Sequence, residues 1–208
     1  MAATSETRLI SGPAGALEVA VDTPESAAAG VAVIAHPHPQ FGGTMTNKVV
    51  QTLARAAVLS GRRAVRFNFR GIGASEGAYD EGRGELDDLL SVVAAEAGGG
   101  PLVLAGFSFG AFVTSHAVRR LHDQGRDLTH VVLIGTATSR FAVAEVPEEL
   151  RPQTLIVHGE QDDTVPLSTT MDWARPQSLP VTVVPGGGHF FHGQLPLLRE
   201  LVRRHLIA

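Results

Sequence analysis

The feature that most constrains this chain is a strand that runs into a helix with no linker. Leu102 to Gly106 is an apolar run of strand length, Phe109 to Leu121 is helical in character, and only Gly106-Phe107-Ser108-Phe109-Gly110 joins them. A strand without polar alternation is buried on both faces, so the helix that leaves it packs back against a sheet. The pattern recurs along the chain. Apolar runs at Val31 to His36, Arg63 to Phe69, His130 to Gly135, Thr154 to His158 and Val181 to Val184 read as strands. They alternate with amphipathic stretches at Asn47 to Ser60, Glu85 to Glu96, Ser168 to Ala174 and Phe191 to His205. That order predicts an α/β fold with a mostly parallel sheet and helices on both faces. An early strand pair is expected around Arg8 to Ile10 and Leu17 to Val21, turning at Gly12-Pro13 and Gly15. In the Glu85 to Glu96 helix, Leu86, Leu89, Leu90 and Val93 are assigned to the inner face. No repeat or long linker interrupts the 208 residues, so one domain, 1–208, is expected.

Composition narrows the function. The net charge is −4 and the basic residues are scattered, which predicts no nucleic-acid or anionic-membrane partner. There is no cysteine, so disulfides and thiolate catalysis are excluded. Met1 to Ser11 lacks the pattern of a signal peptide, and the apolar runs are far too short to span a bilayer. A soluble, cytoplasmic protein is expected.

Ser108 stands at the centre of a Gly-x-Ser-x-Gly turn between strand and helix. A serine hydroxyl attacks well only when a base removes its proton and the oxygen projects toward the substrate. The sharp turn meets the second need, and small residues at Gly106 and Gly110 allow it. The base and its orienting acid should follow in the order Ser, Asp or Glu, His, at the ends of later strands. Asp162 lies in His158-Gly159-Glu160-Gln161-Asp162-Asp163-Thr164-Val165-Pro166, with Asp163 as its competitor, and the Gly-x-x-Asp-x-x-Val-Pro spacing favours Asp162. His189 follows Gly186-Gly187-Gly188 and is preferred over His192, which is expected one turn into the last helix as a surface or capping residue. His116, His122, His130 and His205 read as structural.

An anionic intermediate on Ser108 needs two preorganised backbone donors. The amide of Phe109 is one candidate, and the other should lie in His36-Pro37-His38-Pro39-Gln40-Phe41-Gly42-Gly43. Prolines 37 and 39 have no N–H and stiffen the loop, which leaves His38 as the first candidate, with Gln40 and Phe41 behind it. His36 and His38 also raise a metal site, but no third ligand is nearby and no metal or cofactor is expected. Phe41, Gln40 and Phe190 are the candidate pocket residues, with Phe109, Phe141 and Phe191 as further apolar walls.

With these residues in place the chain resembles the α/β-hydrolase superfamily over nearly its whole length. More narrowly it is similar to small bacterial serine hydrolases related to dienelactone hydrolase. The narrower likeness rests on His36-Pro37-His38-Pro39 with Gly42-Gly43-Thr44 and Asn47-Lys48, on Phe67-Asn68-Phe69-Arg70-Gly71 with Ser75-Glu76-Gly77, and on the Ser108 turn. Dienelactone hydrolase itself has a cysteine nucleophile where this chain has serine. The resemblance implies about eight strands, and a loop from Arg70 to Gly77 near the site whose role is a tight turn with Arg70 fixing backbone. Too little chain separates Gly135 from Thr154 for a lid domain, so an open site is expected. The implied activity is hydrolysis of a small, short-acyl ester through an acyl-serine. A thioesterase or acyltransferase with the same three residues is the near alternative, and a non-catalytic binding protein the distant one.

Overall fold

The computed structural model describes residues 4–208. Met1 to Ala3, part of the segment inspected above for a signal peptide, lie outside the described residues. Eight strands form one sheet in the order β1-β2-β4-β3-β5-β6-β7-β8. β1 (Thr4–Gly12) and β2 (Gly15–Thr23) make an antiparallel hairpin, longer at both ends than the sequence predicted, and β2 runs antiparallel to β4 (Arg63–Phe67). β3 (Val31–Ala35), β4, β5 (Leu102–Phe107), β6 (Leu128–Ile134), β7 (Thr154–Gly159) and β8 (Val181–Val184) are parallel.

Strand periodicity divides the core in two. On one face Val31, Val33 and Ala35 pack toward α2 (Arg83–Glu96), α3 (Phe109–Asp123) and α4 (Leu167–Ala174). On the other, Ala32 and Ile34 meet α1 (Lys48–Leu59) and α5 (Leu195–Ile207). Every residue of β3 and β5 is buried, which is why these strands read as unbroken apolar runs. Between Gly135 and β7 the chain forms loop and one 3₁₀ segment, Glu148–Gln153, with no inserted lid. No helix among the described residues is long and apolar enough to cross a membrane.

Several boundaries differ from expectation, and three of them have a clear local reason. β4 stops at Phe67: the Asn68 amide still reaches β2 at the Glu18 carbonyl (2.9 Å), but the Phe69 amide turns to the His36 ring (3.0 Å). α2 begins at Arg83, and Glu85 caps it by accepting from the amides of Gly82 (2.8 Å) and Asp80 (2.9 Å). Its inner face is turned from the one predicted. Leu89 and Val93 are buried with Val92, Leu86 and Leu90 are only partly covered, and Glu85, Asp88 and Glu96 are buried. Those acids are tolerated because each is satisfied: Glu96 meets Arg8 (2.6 Å) and Arg63 (3.3 Å), Asp88 meets Arg70 (2.7 Å), and Glu85 takes the two capping amides. Finally, α5 begins at Leu195 rather than Phe191. Phe191 has φ +51°, outside the helical region, and Pro196 suits the first turn of a helix that starts later. His192 is therefore exposed in the turn ahead of α5, not within it.

Candidate functional site

The C-terminal ends of the parallel strands carry the loops that meet here, as is usual for open α/β sheets. Ser108 joins β5 to α3 with φ 57° and ψ −116°, a strained backbone for a residue with a side chain. Neighbours hold it there: its amide donates to the Ile134 carbonyl (2.8 Å), and its own carbonyl accepts from Ala111 (3.0 Å). The two glycines are required by close approach. A Cβ on Gly106 would press into the Gly110 carbonyl, and one on Gly110 into the carbonyls of Ala35 and His36. The strain leaves Ser108 Oγ at the start of α3, where free amides and the helix dipole favour negative charge.

The structure brings Ser108, His189 and Asp162 together in a row. Asp162 Oδ2 accepts from His189 Nδ1 at 2.7 Å, and His189 Nε2 lies 3.0 Å from Ser108 Oγ. With Nδ1–H given to the carboxylate, Nε2 is the free lone pair and the Ser108 hydroxyl donates to it. All three residues are buried. The other Asp162 oxygen accepts from the amides of Thr164 (2.9 Å) and Val165 (2.8 Å). Burial pushes the Asp162 carboxyl up, but the bonds from His189, Val165 and Thr164 outweigh it and hold the group below the usual range. Asp163 is exposed and bonds only the Thr164 hydroxyl (3.2 Å). His189 lies against Phe107, with ring centroids 4.9 Å apart.

One further histidine, not singled out from the sequence, completes this corner. His158 is fully buried, donates from Nε2 to the Val165 carbonyl (2.9 Å) and lies 3.5 Å from Asp162 Oδ2. Burial lowers its basicity. Its position four residues before Asp162 was the available signal.

The loop after β3 faces Ser108 from the other side. Pro39–Phe41 is a 3₁₀ turn whose first carbonyl, that of His38, accepts from the amides of Phe41 (3.1 Å) and Gly43 (3.0 Å). The Gln40 amide is given to His38 Nδ1 (3.2 Å). Gln40 and Phe41 are thus spent as donors, which corrects their standing behind His38. Among the described residues, the amides of His38 and Phe109 donate to no protein group. The His38 tautomer follows from its bonds. Nδ1 accepts from Gln40, so Nε2–H donates to the Tyr79 hydroxyl at 3.2 Å. Burial first, and Arg140 nearby, keep this imidazole less basic than usual.

His36 is excluded as a metal ligand by its own bonding. Its Nε2 lone pair takes the Phe69 amide (3.0 Å) and its Nδ1–H goes to the Pro37 carbonyl (2.6 Å). With both nitrogens used and burial dominant, its pKa is lowered to about 4. Arg70 to Gly77 braces the same loop from outside. Asp88 takes both the Arg70 guanidinium and the Arg70 amide (3.0 Å), Asn68 Oδ1 accepts from the Met45 amide (2.8 Å), and Ser75 Oγ donates to the Asn68 carbonyl (2.7 Å).

A cavity of about 250 Å³ opens over Ser108 and His189. Phe41, Phe109, Phe141 and Phe190 form its apolar walls, with Phe41 and Phe190 exposed at the mouth. Two expected lining residues are elsewhere. Phe191 is fully buried in the core beneath α1 and α5. Gln40 points into an adjacent hollow, because in a 3₁₀ turn residues three apart share a face: His38 and Phe41 do, and Gln40 is rotated about 120° away.

Known proteins give the family. The chain is similar to a lidless α/β serine hydrolase of Xanthomonas campestris, XC6422, with 36% identity, coverage of 97% of this chain and 93% of that one, and a TM-score of 0.85. It is similar to an α/β serine hydrolase homologue of Coxiella burnetii, at 40% identity, 97% of each chain and TM-score 0.81. An uncharacterised protein of Rickettsia prowazekii shares 27% identity over 95% of this chain and 87% of its own length. The Thioesterase domain family matches residues 85–179. The chain belongs to the α/β serine hydrolases that lack a lid. It is accordingly a hydrolase.

Proposed function

We propose that this chain hydrolyses carboxylic esters of small acids through an acyl-serine intermediate. Ser108 Oγ attacks the ester carbonyl while His189 Nε2 takes its proton, and Asp162 stabilises the imidazolium and fixes its tautomer. The amides of Phe109 and His38 receive the oxyanion. His189 then protonates the leaving alkoxide, and water, deprotonated by the same imidazole, releases the acid. The observation that carries this reading is the unbroken row of hydrogen bonds from Asp162 through His189 to Ser108 under an open cavity. The modest cavity and the missing lid favour short acyl groups over long lipids.

A second reading is a thioesterase, supported by the Thioesterase domain match, which spans Ser108 and Asp162 and ends before His189. The chemistry is the same, with a thiolate leaving in place of an alkoxide. A fluorophosphonate probe tests the common step: it should label the wild type and not Ser108→Ala. Labelling of neither would end both readings. Matched 4-nitrophenyl and N-acetylcysteamine esters of acetate, butyrate and hexanoate then separate the two by kcat/KM.

A further inference from the structure

The cavity has one side chain of fixed charge. Of the residues that line it, His38, Arg140 and His189 are ionisable and none is a carboxylate; Asp162 lies behind His189. This is notable in a chain whose acidic residues outnumber its basic ones, 21 to 17. Arg140 sits in the loop after β6, one residue before the wall residue Phe141, and its backbone is turned inward by an N–H bond to the Ala137 carbonyl (3.2 Å). Its guanidinium forms no ion pair and no hydrogen bond among the described residues. The acid that lines the adjacent hollow with it, Glu81, faces Arg83 (3.6 Å).

Several arginines elsewhere in this protein are engaged, whereas Arg55, Arg120 and Arg199, like Arg140, have no side-chain partner among the described residues but do not line this cavity. Arg66 is bonded to Asp22, Arg70 to Asp88 and Arg203 to Glu200. A guanidinium left without a partner beside four phenylalanines is a different arrangement. Apolar walls lower the local dielectric and focus the field of the one cation on whatever enters. The planar fork of arginine also matches a carboxylate in two parallel bonds.

We propose that Arg140 is a specificity determinant that selects esters carrying a second, anionic group, a carboxylate on either the acyl or the alcohol portion. This deepens the reading of Ser108 as an acylated nucleophile and rests on it. A neutral ester reaches Ser108 through the same cavity but gains nothing from Arg140.

The test uses 4-nitrophenyl alkylphosphonates, which modify the serine once and release one nitrophenolate, so no turnover is needed. In one pair the alkyl chain on phosphorus ends in a carboxylate or in its methyl ester, which probes the acyl side. In a second pair the alkoxy chain does so, which probes the alcohol side. Chains of two to five methylenes cover the reach of the side chain. The readout is the ratio of second-order burst rates, charged over neutral. At low salt this ratio should exceed about tenfold in at least one pair for the wild type. It should fall toward one in Arg140→Gln, invert in Arg140→Glu and survive in part in Arg140→Lys. Arg120→Gln, an exposed α3 change of equal net charge, separates local recognition from general steering and should leave the ratio unaltered. Equal rates for charged and neutral reagents in the wild type would overturn the proposal while leaving the nucleophile intact. So would a ratio that Arg120→Gln lowers as much as Arg140→Gln. No burst with any reagent would overturn the reading of Ser108 itself, and the selectivity with it.

Discussion

Replacing His36 with glutamine should flatten the dependence of stability on pH between about 4 and 6.5. The imidazole is fully buried, its Nε2 holds the Phe69 amide and its Nδ1–H the Pro37 carbonyl. Burial dominates the drop of its pKa from 6.5 to about 4. In the unfolded chain the ring takes a proton as the pH falls through about 6.5, whereas the folded ring stays neutral until about 4. Stability from this group is therefore complete above 6.5 and is lost progressively as the pH falls toward 4. The window is about 2.5 pH units, and at about 1.36 kcal/mol for each the full loss is about 3 kcal/mol. Glutamine cannot titrate, so the variant starts lower at neutral pH by the cost of imperfect hydrogen bonds and loses nothing further at this position as the pH falls. Urea unfolding of both proteins at pH 7, 6, 5 and 4 measures the difference directly, and other titrating groups cancel between them. Asp162 does not contribute in this window. Its carboxyl is held low, so its contribution is present above the ordinary carboxylate range and is lost only in stronger acid. A gap between the two proteins that does not narrow by more than about 1 kcal/mol from pH 7 to pH 4 would refute the reasoning.

Three further outcomes follow from the geometry. Asp162→Asn should lower kcat by about 10⁴ and Asp163→Asn by less than about threefold, since only Asp162 faces His189; steady-state kinetics on a short ester checks the ranking, and its reversal would move the acid to Asp163. Arg70→Met should cost about 3 kcal/mol or more in chemical denaturation, because it strands the fully buried Asp88 carboxylate; a near-neutral result would mean that the Arg70 amide alone satisfies it. Gly159→Ala should reduce kcat about 100-fold and also lower the melting temperature, because the new methyl meets the Gly187 backbone and shifts the loop that carries His189; unchanged kcat with an unchanged melting temperature would show that the loop gives way freely.

The sheet, the site order and the Ser108 turn were legible because each depends on local patterns. An apolar run in β5, a glycine on either side of Ser108 and an acid and a histidine after later strands can be read without knowing what touches what. The misreadings share a different cause. The buried face of α2 differs from the expected one because Asp88 and Glu96 look like surface residues until Arg70, Arg8 and Arg63 arrive from distant segments, and Glu85 does until it is seen to cap the helix. Gln40 and Phe191 were placed at the cavity by chain proximity, but a 3₁₀ turn and a positive φ send their side chains elsewhere. Tyr79 could not be found at all. It is the only tyrosine, in a loop without pattern, and its bond to His38 spans 41 residues.

The row of three residues also has a spacing problem that the glycines solve. Ser108 follows β5, Asp162 follows β7 and His189 follows β8, and β6 lies between the first two. At about 4.8 Å between neighbouring strands, β8 stands about 14 Å from β5, far beyond the length of an imidazole side chain. The loop after β8 must therefore travel back across the ends of β7 and β6 before His189 meets Ser108. It crosses β7 at Gly159, where any Cβ would enter the backbone of Gly187, and the Gln161 amide fastens it there by donating to the Gly187 carbonyl (2.8 Å). It crosses β6 at Gly135, whose Cβ would stand 3.4 Å from the imidazole. Asp162, rising from β7 beneath this path, then meets Nδ1 from below while Nε2 continues to the serine. The crossing that sets the reach of the base thus turns on Gly159, a residue with no side chain, which is why a search for chemically active residue types passes over it.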